Sequence, residues 1–115
     1  MTATIFHNPR CNTSRTVLAA LQAREPDTRI VDYLKQPPDR ATLVDLLGRL
    51  GIGPRSLMRR KEAVYGELGL DDAGLSDDRL IDAILAHPIL IERPIVLTAK
   101  GARICRPADR LAEIL

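Results

Sequence analysis

The sequence predicts a small α/β fold built around a mixed β-sheet. Three observations lead to this prediction. Short apolar stretches alternate with longer segments of helical periodicity, a second strand follows the first helix directly, and two later strands flank a glycine-containing loop. A chain of 115 residues is long enough for one hydrophobic core and too short for two, so we expect a single domain.

The first third of the chain is predicted to form a strand, a helix and a second strand. Residues 3–6 make a short apolar strand, and the following helix runs to about Arg24 with Asn12 or Thr13 as its cap. Three residues form the apolar face of this helix: Val17, Leu18 and Leu21. Residues 29–33 alternate like a strand, and the usual right-handed crossover makes the two strands parallel.

The middle of the chain, at about residues 38–90, is predicted to be a helical insertion. Its clearest helix ends at Gly51 and carries four leucines at the spacing i, i+3, i+4 and i+7: Leu43, Leu46, Leu47 and Leu50. A shorter helix opens at Pro54 and runs through Arg60. Ser76 is expected to cap a further helix.

The last part of the chain is predicted to form a β-hairpin and a terminal helix. Residues 95–98 and 102–105 are strand-like, and residues 99–101 make a loop whose glycine suits a hairpin. Pro107 is expected to start the helix.

A hairpin returns the chain to the end of the sheet where it began, which brings two arginines together. Arg93 lies before the first hairpin strand and Arg106 after the second, so we expect them to be neighbours. Both precede a proline and should be extended, and Arg93-Pro94 is a candidate cis bond. Arg59 is a third candidate, although the sequence around it is more typical of a solvated helix face.

The most informative segment is His-Asn-Pro-Arg-Cys-Asn-Thr-Ser-Arg at residues 7–15. It places Cys11 between a strand and a helix, where unpaired N–H groups and the helix dipole stabilise a thiolate and can bind an oxyanion. His7 and the neighbouring arginines, Arg10 among them, add positive charge, so we expect a lowered pKa for Cys11. The alternative is a half-buried cysteine at a strand end, because free cysteine is often buried.

Composition and charge argue against several classes of protein. The net charge is only +2, and the chain has no tryptophan, two tyrosines and one phenylalanine, which disfavours nucleic acid and membrane partners. No signal peptide or membrane-spanning run is recognisable, so we expect a cytoplasmic protein, in which Cys11 and Cys105 stay reduced. Histidine and cysteine lack the spacing of metal ligands.

Taken in order, the motifs resemble those of the glutathione- and glutaredoxin-coupled arsenate reductases. The matching segments cover nearly the whole chain: residues 7–15, 33–38, 51–59, 67–70, 77–81, 87–91, 93–96 and 103–107. The resemblance implies a thioredoxin-like fold with an inserted helical region. One departure is that Arg10 and Asn12 flank the cysteine, where the best-studied members have small residues.

The resemblance also implies a set of roles. Cys11 would be the nucleophile, and three arginines would hold the oxyanion: Arg59, Arg93 and Arg106. His7 and Ser14 would lower the pKa of the thiol. Glutathione would be a co-substrate and glutaredoxin a partner, and no cofactor would be bound.

Two alternatives within related proteins remain open at this point. One is a glutathione-dependent thiol oxidoreductase that does not act on arsenate. The other is a Spx-like regulator that binds RNA polymerase, although those regulators commonly carry a C-x-x-C pair that Ser14 interrupts here. Because residue 14 is a serine and not a cysteine, we expect the second thiol to come from another molecule. Cys105 is the competing resolving thiol, but its strand position beside Ile104 favours a buried spectator.

Overall fold

The computed structural model describes residues 2–115 and contains one four-stranded sheet. The strands are β1 (Thr4–His7), β2 (Arg29–Asp32), β3 (Ile95–Thr98) and β4 (Gly101–Ile104). The α-helices are α1 (Asn12–Arg24), α2 (Arg40–Leu50), α3 (Pro54–Leu57), α4 (Ala63–Glu67) and α5 (Asp77–Ala86). Two 3₁₀ helices span Pro88–Leu90 and Ala108–Ile114.

The sheet has the strand order β2-β1-β3-β4 and is mixed, as predicted. β1 pairs in parallel with β2, and β3 pairs antiparallel with both β1 and β4. The sheet, α1 and the C-terminal 3₁₀ helix enclose a core of buried residues: Ala3, Ile5, Val17, Leu21, Val96, Cys105, Leu111 and Ile114. This packing fixes the end of β1 against the start of α1, and the loop between them carries Cys11.

The chain divides into two units, each described by itself. Residues 1–36 and 93–115 form the sheet unit, and residues 37–92 form the helical unit, which contains α2 to α5. The predicted helical insertion at about 38–90 falls within the helical unit, while a single domain for the whole chain stays a prediction. None of the helices formed by residues 2–115 combines the length and the hydrophobicity that a membrane-spanning helix needs.

The two longest helices of the helical unit form where local sequence signals predict them. The Asp39 side chain accepts a hydrogen bond from Thr42 N–H at the start of α2, and Gly51 ends the helix in a left-handed conformation with φ of 68°. The Ser76 side chain accepts from Arg79 N–H at the start of α5, which confirms its predicted cap.

Several predicted boundaries are wrong. Neither Asn12 nor Thr13 caps α1, because the helix already begins at Asn12 and Cys11 occupies the N-cap without a side-chain cap bond. α3 ends at Leu57, short of Arg60, because Met58 is extended and pairs with Ile91. Helix α4 was not predicted.

The C-terminal segment also differs from its prediction. β4 starts at Gly101, so the hairpin turn consists of residues 99–100, and Cys105 follows the strand. The terminal helix is 3₁₀ throughout Ala108–Ile114, with Pro107 at its N-cap. Hydrogen bonds tie this segment to the hairpin, since the Thr98 hydroxyl donates to the Ile114 carbonyl at 2.5 Å.

Candidate active site at the Cys11 loop

A tight turn connects β1 to α1 and fixes the position of Cys11. The Cys11 N–H donates to the Asn8 carbonyl at 3.0 Å, and the Arg10 N–H donates to the Asn8 side-chain oxygen at 3.0 Å. Arg15 closes the turn from α1 by donating to the Pro9 carbonyl at 2.7 Å. Cys11 therefore stands at the N-cap of a 13-residue helix, where its half-buried side chain meets unpaired N–H groups.

The Cys11 thiol is surrounded by hydrogen-bond donors. Arg106 Nη1 lies 3.5 Å from Cys11 Sγ. Burial alone would raise the pKa of Cys11, but hydrogen bonds from the Ser14 backbone N–H, Arg106 and Arg93 outweigh it and lower the pKa. The direction agrees with the sequence prediction, and the Ser14 N–H is one of the helix-start donors expected there, whereas the charged donors are Arg106 and Arg93 and not His7 or Arg10.

Arg93 and Arg106 are neighbours, as the hairpin predicts. Arg106 Nη1 donates to the Arg93 carbonyl at 3.3 Å, and Arg93 is 7% exposed. Both Arg93-Pro94 and Arg106-Pro107 are cis, of which only the first was a sequence candidate. Two guanidinium groups beside one thiolate leave a net positive charge, which suits a small oxyanion.

His7 and Ser14, on either side of Cys11 in the sequence, are buried and hydrogen-bonded to each other. His7 Nδ1 lies 2.7 Å from Ser14 Oγ, and the same hydroxyl oxygen accepts the Asn8 N–H at 3.1 Å. Burial lowers the pKa of His7, with Asp32 opposing this effect and Arg15 adding to it. This direction of shift favours the neutral imidazole and does not support the prediction that His7 adds positive charge to the site. His7 contacts the Ser14 hydroxyl directly, so it can help to position Ser14, whose backbone N–H donates to the thiol.

Arg59 belongs to the helical unit and lies outside α3. Its Nε is 3.5 Å from Glu62 Oε1, its Nη1 is 3.8 Å from Glu92 Oε1, and the side chain is 21% exposed. The expectation of a solvated helix face is thus wrong. A role for Arg59 in holding an oxyanion stays a prediction.

Cys105 has the properties of a core residue. It is 0% exposed, and burial raises the pKa of its thiol to about 11. Neither Cys105 nor Cys11 forms a disulfide. At pH 7 a thiol with such a pKa is thiolate in only about one molecule in 10⁴, so Cys105 is a poor nucleophile.

Asn8 holds the turn before Cys11 in place, a role that was not predicted from the sequence. This residue is 3% exposed and makes three hydrogen bonds, through its backbone N–H, its carbonyl and its side-chain oxygen. The preference of asparagine for turns that bond their own backbone could have indicated this role. Among residues 2–115 no group of three or more His, Cys, Asp or Glu side chains is placed to hold a metal ion.

Comparison with known proteins gives consistent matches over nearly the full chain. The family model described as ArsC family matches residues 6–114. The chain is 48% identical over 112 residues to a protein of Escherichia coli K12 named arsenate reductase, covering 97% of this chain and 79% of the relative. It is 45% identical over 115 residues to one of Rhizobium meliloti with the same name, covering 100% of this chain and 82% of the relative. The structure titled arsenate reductase from Vibrio cholerae is similar with a TM-score of 0.94 and 43% identity, over 100% of this chain and 98% of that one.

Proposed function

This chain belongs to the ArsC family, and from that premise we propose that it reduces arsenate to arsenite, with glutathione and a glutaredoxin as electron donors. The protein is an enzyme of the arsenate reductase type with a thioredoxin-like fold. One observation carries the proposal for the site. Cys11 Sγ lies 3.5 Å from the Arg106 guanidinium, with Arg93 beside both. A nucleophile is therefore adjacent to two groups that can bind an oxyanion.

The first step is attack on arsenic by the Cys11 thiolate. A sulfur–arsenic bond forms, and one arsenate oxygen leaves as water after protonation. Arg93 and Arg106 bind the remaining oxygens and stabilise the charge that builds up on them. Arg59 would complete the triad, as the resemblance to the glutaredoxin-coupled enzymes implies.

The arginines contribute more to the rate than thiolate supply does. Each unit by which a thiol pKa falls raises its thiolate fraction up to about 10-fold but lowers its intrinsic nucleophilicity about 3-fold. The net gain is only about 3-fold per unit. A preorganised donor to a developing oxyanion is worth on the order of 100-fold or more, so fixed guanidinium groups are the larger effect.

The second step transfers two electrons to arsenic. A glutathione thiolate attacks Cys11 Sγ, a disulfide forms between the two sulfurs, and the sulfur–arsenic electron pair stays on arsenic. Arsenite leaves, and two thiols have been oxidised to one mixed disulfide. Glutaredoxin then exchanges with this disulfide and restores the Cys11 thiolate. The burial and raised pKa of Cys105 favour an external second thiol over this residue.

The proposed reaction needs no resident cofactor, because every electron comes from a thiol. It requires a compartment that keeps glutathione and glutaredoxin reduced, so we place the protein in the cytoplasm. The hypothesis of a regulator that binds RNA polymerase has less support, since no observation on this chain favours it.

The proposed function is tested by arsenate-dependent oxidation of NADPH in the presence of glutathione, glutaredoxin and glutathione reductase. We expect turnover with the natural chain and none with Cys11→Ser, which keeps the shape of the side chain but loses the thiolate. Turnover that persists in Cys11→Ser, or no turnover of the natural chain with any glutaredoxin, would contradict the proposal.

A further inference from the structure

A cavity lies beside the three residues that precede Cys11, on the side of β1 that faces β2 and not the β3–β4 hairpin. The sheet unit contains a cavity of about 240 Å³ lined by six residues: Asn8, Pro9, Arg10, Asp32, Leu34 and Lys35. The first three immediately precede Cys11, and the last three mark the end of β2 and the turn after it. β2 and β3 flank β1 on opposite sides, and Arg93 and Arg106 come from the β3–β4 hairpin. The cavity therefore leaves the oxyanion site free.

The walls of the cavity carry a specific pattern of charge. Arg10 and Lys35 are exposed, and neither side chain forms an ion pair with another residue of the described range 2–115. Asp32 is half-buried, and one of its carboxylate oxygens accepts the Leu34 N–H at 3.3 Å. Leu34 itself is 38% exposed and supplies an apolar surface. Two cations, one anion and one apolar side chain suit a ligand with two carboxylates, one ammonium group and a short apolar part.

We propose that this cavity binds glutathione as the second thiol substrate. The inference rests on the proposed function, which requires an external thiol to attack Cys11 Sγ. Glutathione carries a carboxylate on glycine and both a carboxylate and an ammonium group on its glutamyl residue. The two carboxylates pair with Arg10 and Lys35, and the ammonium group pairs with Asp32. The cysteinyl thiol then lies between these ends, beside the loop that carries Cys11.

The same site can be tested without arsenate, through thiol–disulfide exchange. The Cys11 thiolate attacks oxidised glutathione, a mixed disulfide forms on Cys11, and one glutathione thiolate leaves. The rate is measured by mass spectrometry for the natural chain and for Arg10→Glu/Lys35→Glu. Bis(2-hydroxyethyl) disulfide, which has no charge, serves as the reference disulfide and reports the intrinsic reactivity of Cys11.

A matched control distinguishes the loss of binding in the cavity from the effect of a changed net charge. Arg24→Glu/Arg29→Glu makes the same change in net charge at two exposed arginines, one at the end of α1 and one at the start of β2. All four substituted side chains are exposed, so the variants should fold. Circular dichroism checks this point.

We expect Arg10→Glu/Lys35→Glu to slow exchange with oxidised glutathione on the order of tenfold or more, with the loss shrinking at high salt. Exchange with the uncharged disulfide should fall much less, because that reagent has no carboxylate for Arg10 or Lys35 to bind, and the control variant should match the natural chain with both. Equal losses with both disulfides, equal losses in both variants, or no loss at all would overturn the inference. If the selectivity appears but arsenate turnover does not, the proposed function fails and the cavity assignment stands. If turnover appears without the selectivity, only the cavity assignment fails.

Discussion

At the scale of single residues, the reactivity of Cys11 depends on a balance between burial and hydrogen bonding. Burial raises the pKa of the thiol, and donors from Ser14, Arg106 and Arg93 lower it by more. Cys105, which has no comparable set of donors, shows the opposite result, since burial dominates there and its pKa rises to about 11. Two cysteines in one small chain thus differ in reactivity because of their immediate neighbours.

The lowered pKa predicts how alkylation of Cys11 depends on pH. Iodoacetamide reacts with the thiolate, so the rate should rise with pH and reach its midpoint below about 8.5, the value of an unperturbed thiol. Arg106→Ala removes a donor and should move this midpoint to higher pH. Site-resolved mass spectrometry separates Cys11 from Cys105, which should react slowly until the pH approaches 11. A Cys11 midpoint at or above about 8.5 in the natural chain would contradict the account.

The geometry of Arg93 and Arg106 predicts that lysine cannot replace them. Arginine offers two parallel donors to an oxyanion, whereas lysine offers a point charge. Arg93→Lys should lower kcat/KM for arsenate on the order of 100-fold, and it should leave the circular dichroism spectrum unchanged. Arg110→Lys, at a residue that pairs with Glu113 on the C-terminal 3₁₀ helix, is the control and should keep its activity. Full activity in both Arg93→Lys and Arg106→Lys would place the anion site elsewhere.

At the scale of elements, substitution by alanine should have opposite effects on stability at Gly48, inside α2, and at Gly51, at its end. Gly48 lies inside the helix with open space around it, so Gly48→Ala should stabilise the protein by up to about 1 kcal/mol. Gly51 has φ of 68°, which a side chain tolerates poorly, so Gly51→Ala should destabilise by about 1 kcal/mol. Urea unfolding measures both. Equal effects of the two substitutions would show that the left-handed end of α2 does not matter for stability.

The elements that could be predicted from the sequence are those with local signals. The leucine spacing and Gly51 are enough to define α2, and Ser76 defines the start of α5. The end of α3 depends instead on the pairing of Met58 with Ile91, which is 33 positions later in the chain. The C-terminal 3₁₀ helix depends on contacts with the hairpin, such as the bond of Lys100 Nζ to the Leu115 carbonyl at 2.5 Å. No local pattern reveals such contacts.

At the scale of the whole molecule, topology explains how much of the site was predictable. The hairpin prediction places Arg93 beside Arg106, and the strand–helix junction places Cys11 at a helix start, so both parts follow from the order of elements. The bond from Arg106 to the thiol does not follow, because it joins residues 95 positions apart. Arg59 was a weaker candidate from the sequence alone and gained its role in oxyanion binding only through family resemblance, and it lies in the other unit of the chain.

In the proposed reaction Cys11 is the nucleophile, and the second sulfur comes from outside the chain. The most direct measurement is mass spectrometry of the protein after incubation with arsenate and glutathione, combined with turnover of Cys105→Ser. We expect an arsenate-dependent glutathione adduct on Cys11, none on Cys105, and nearly full turnover in Cys105→Ser. An arsenate-dependent disulfide between Cys11 and Cys105, together with loss of turnover in Cys105→Ser, would contradict this mechanism.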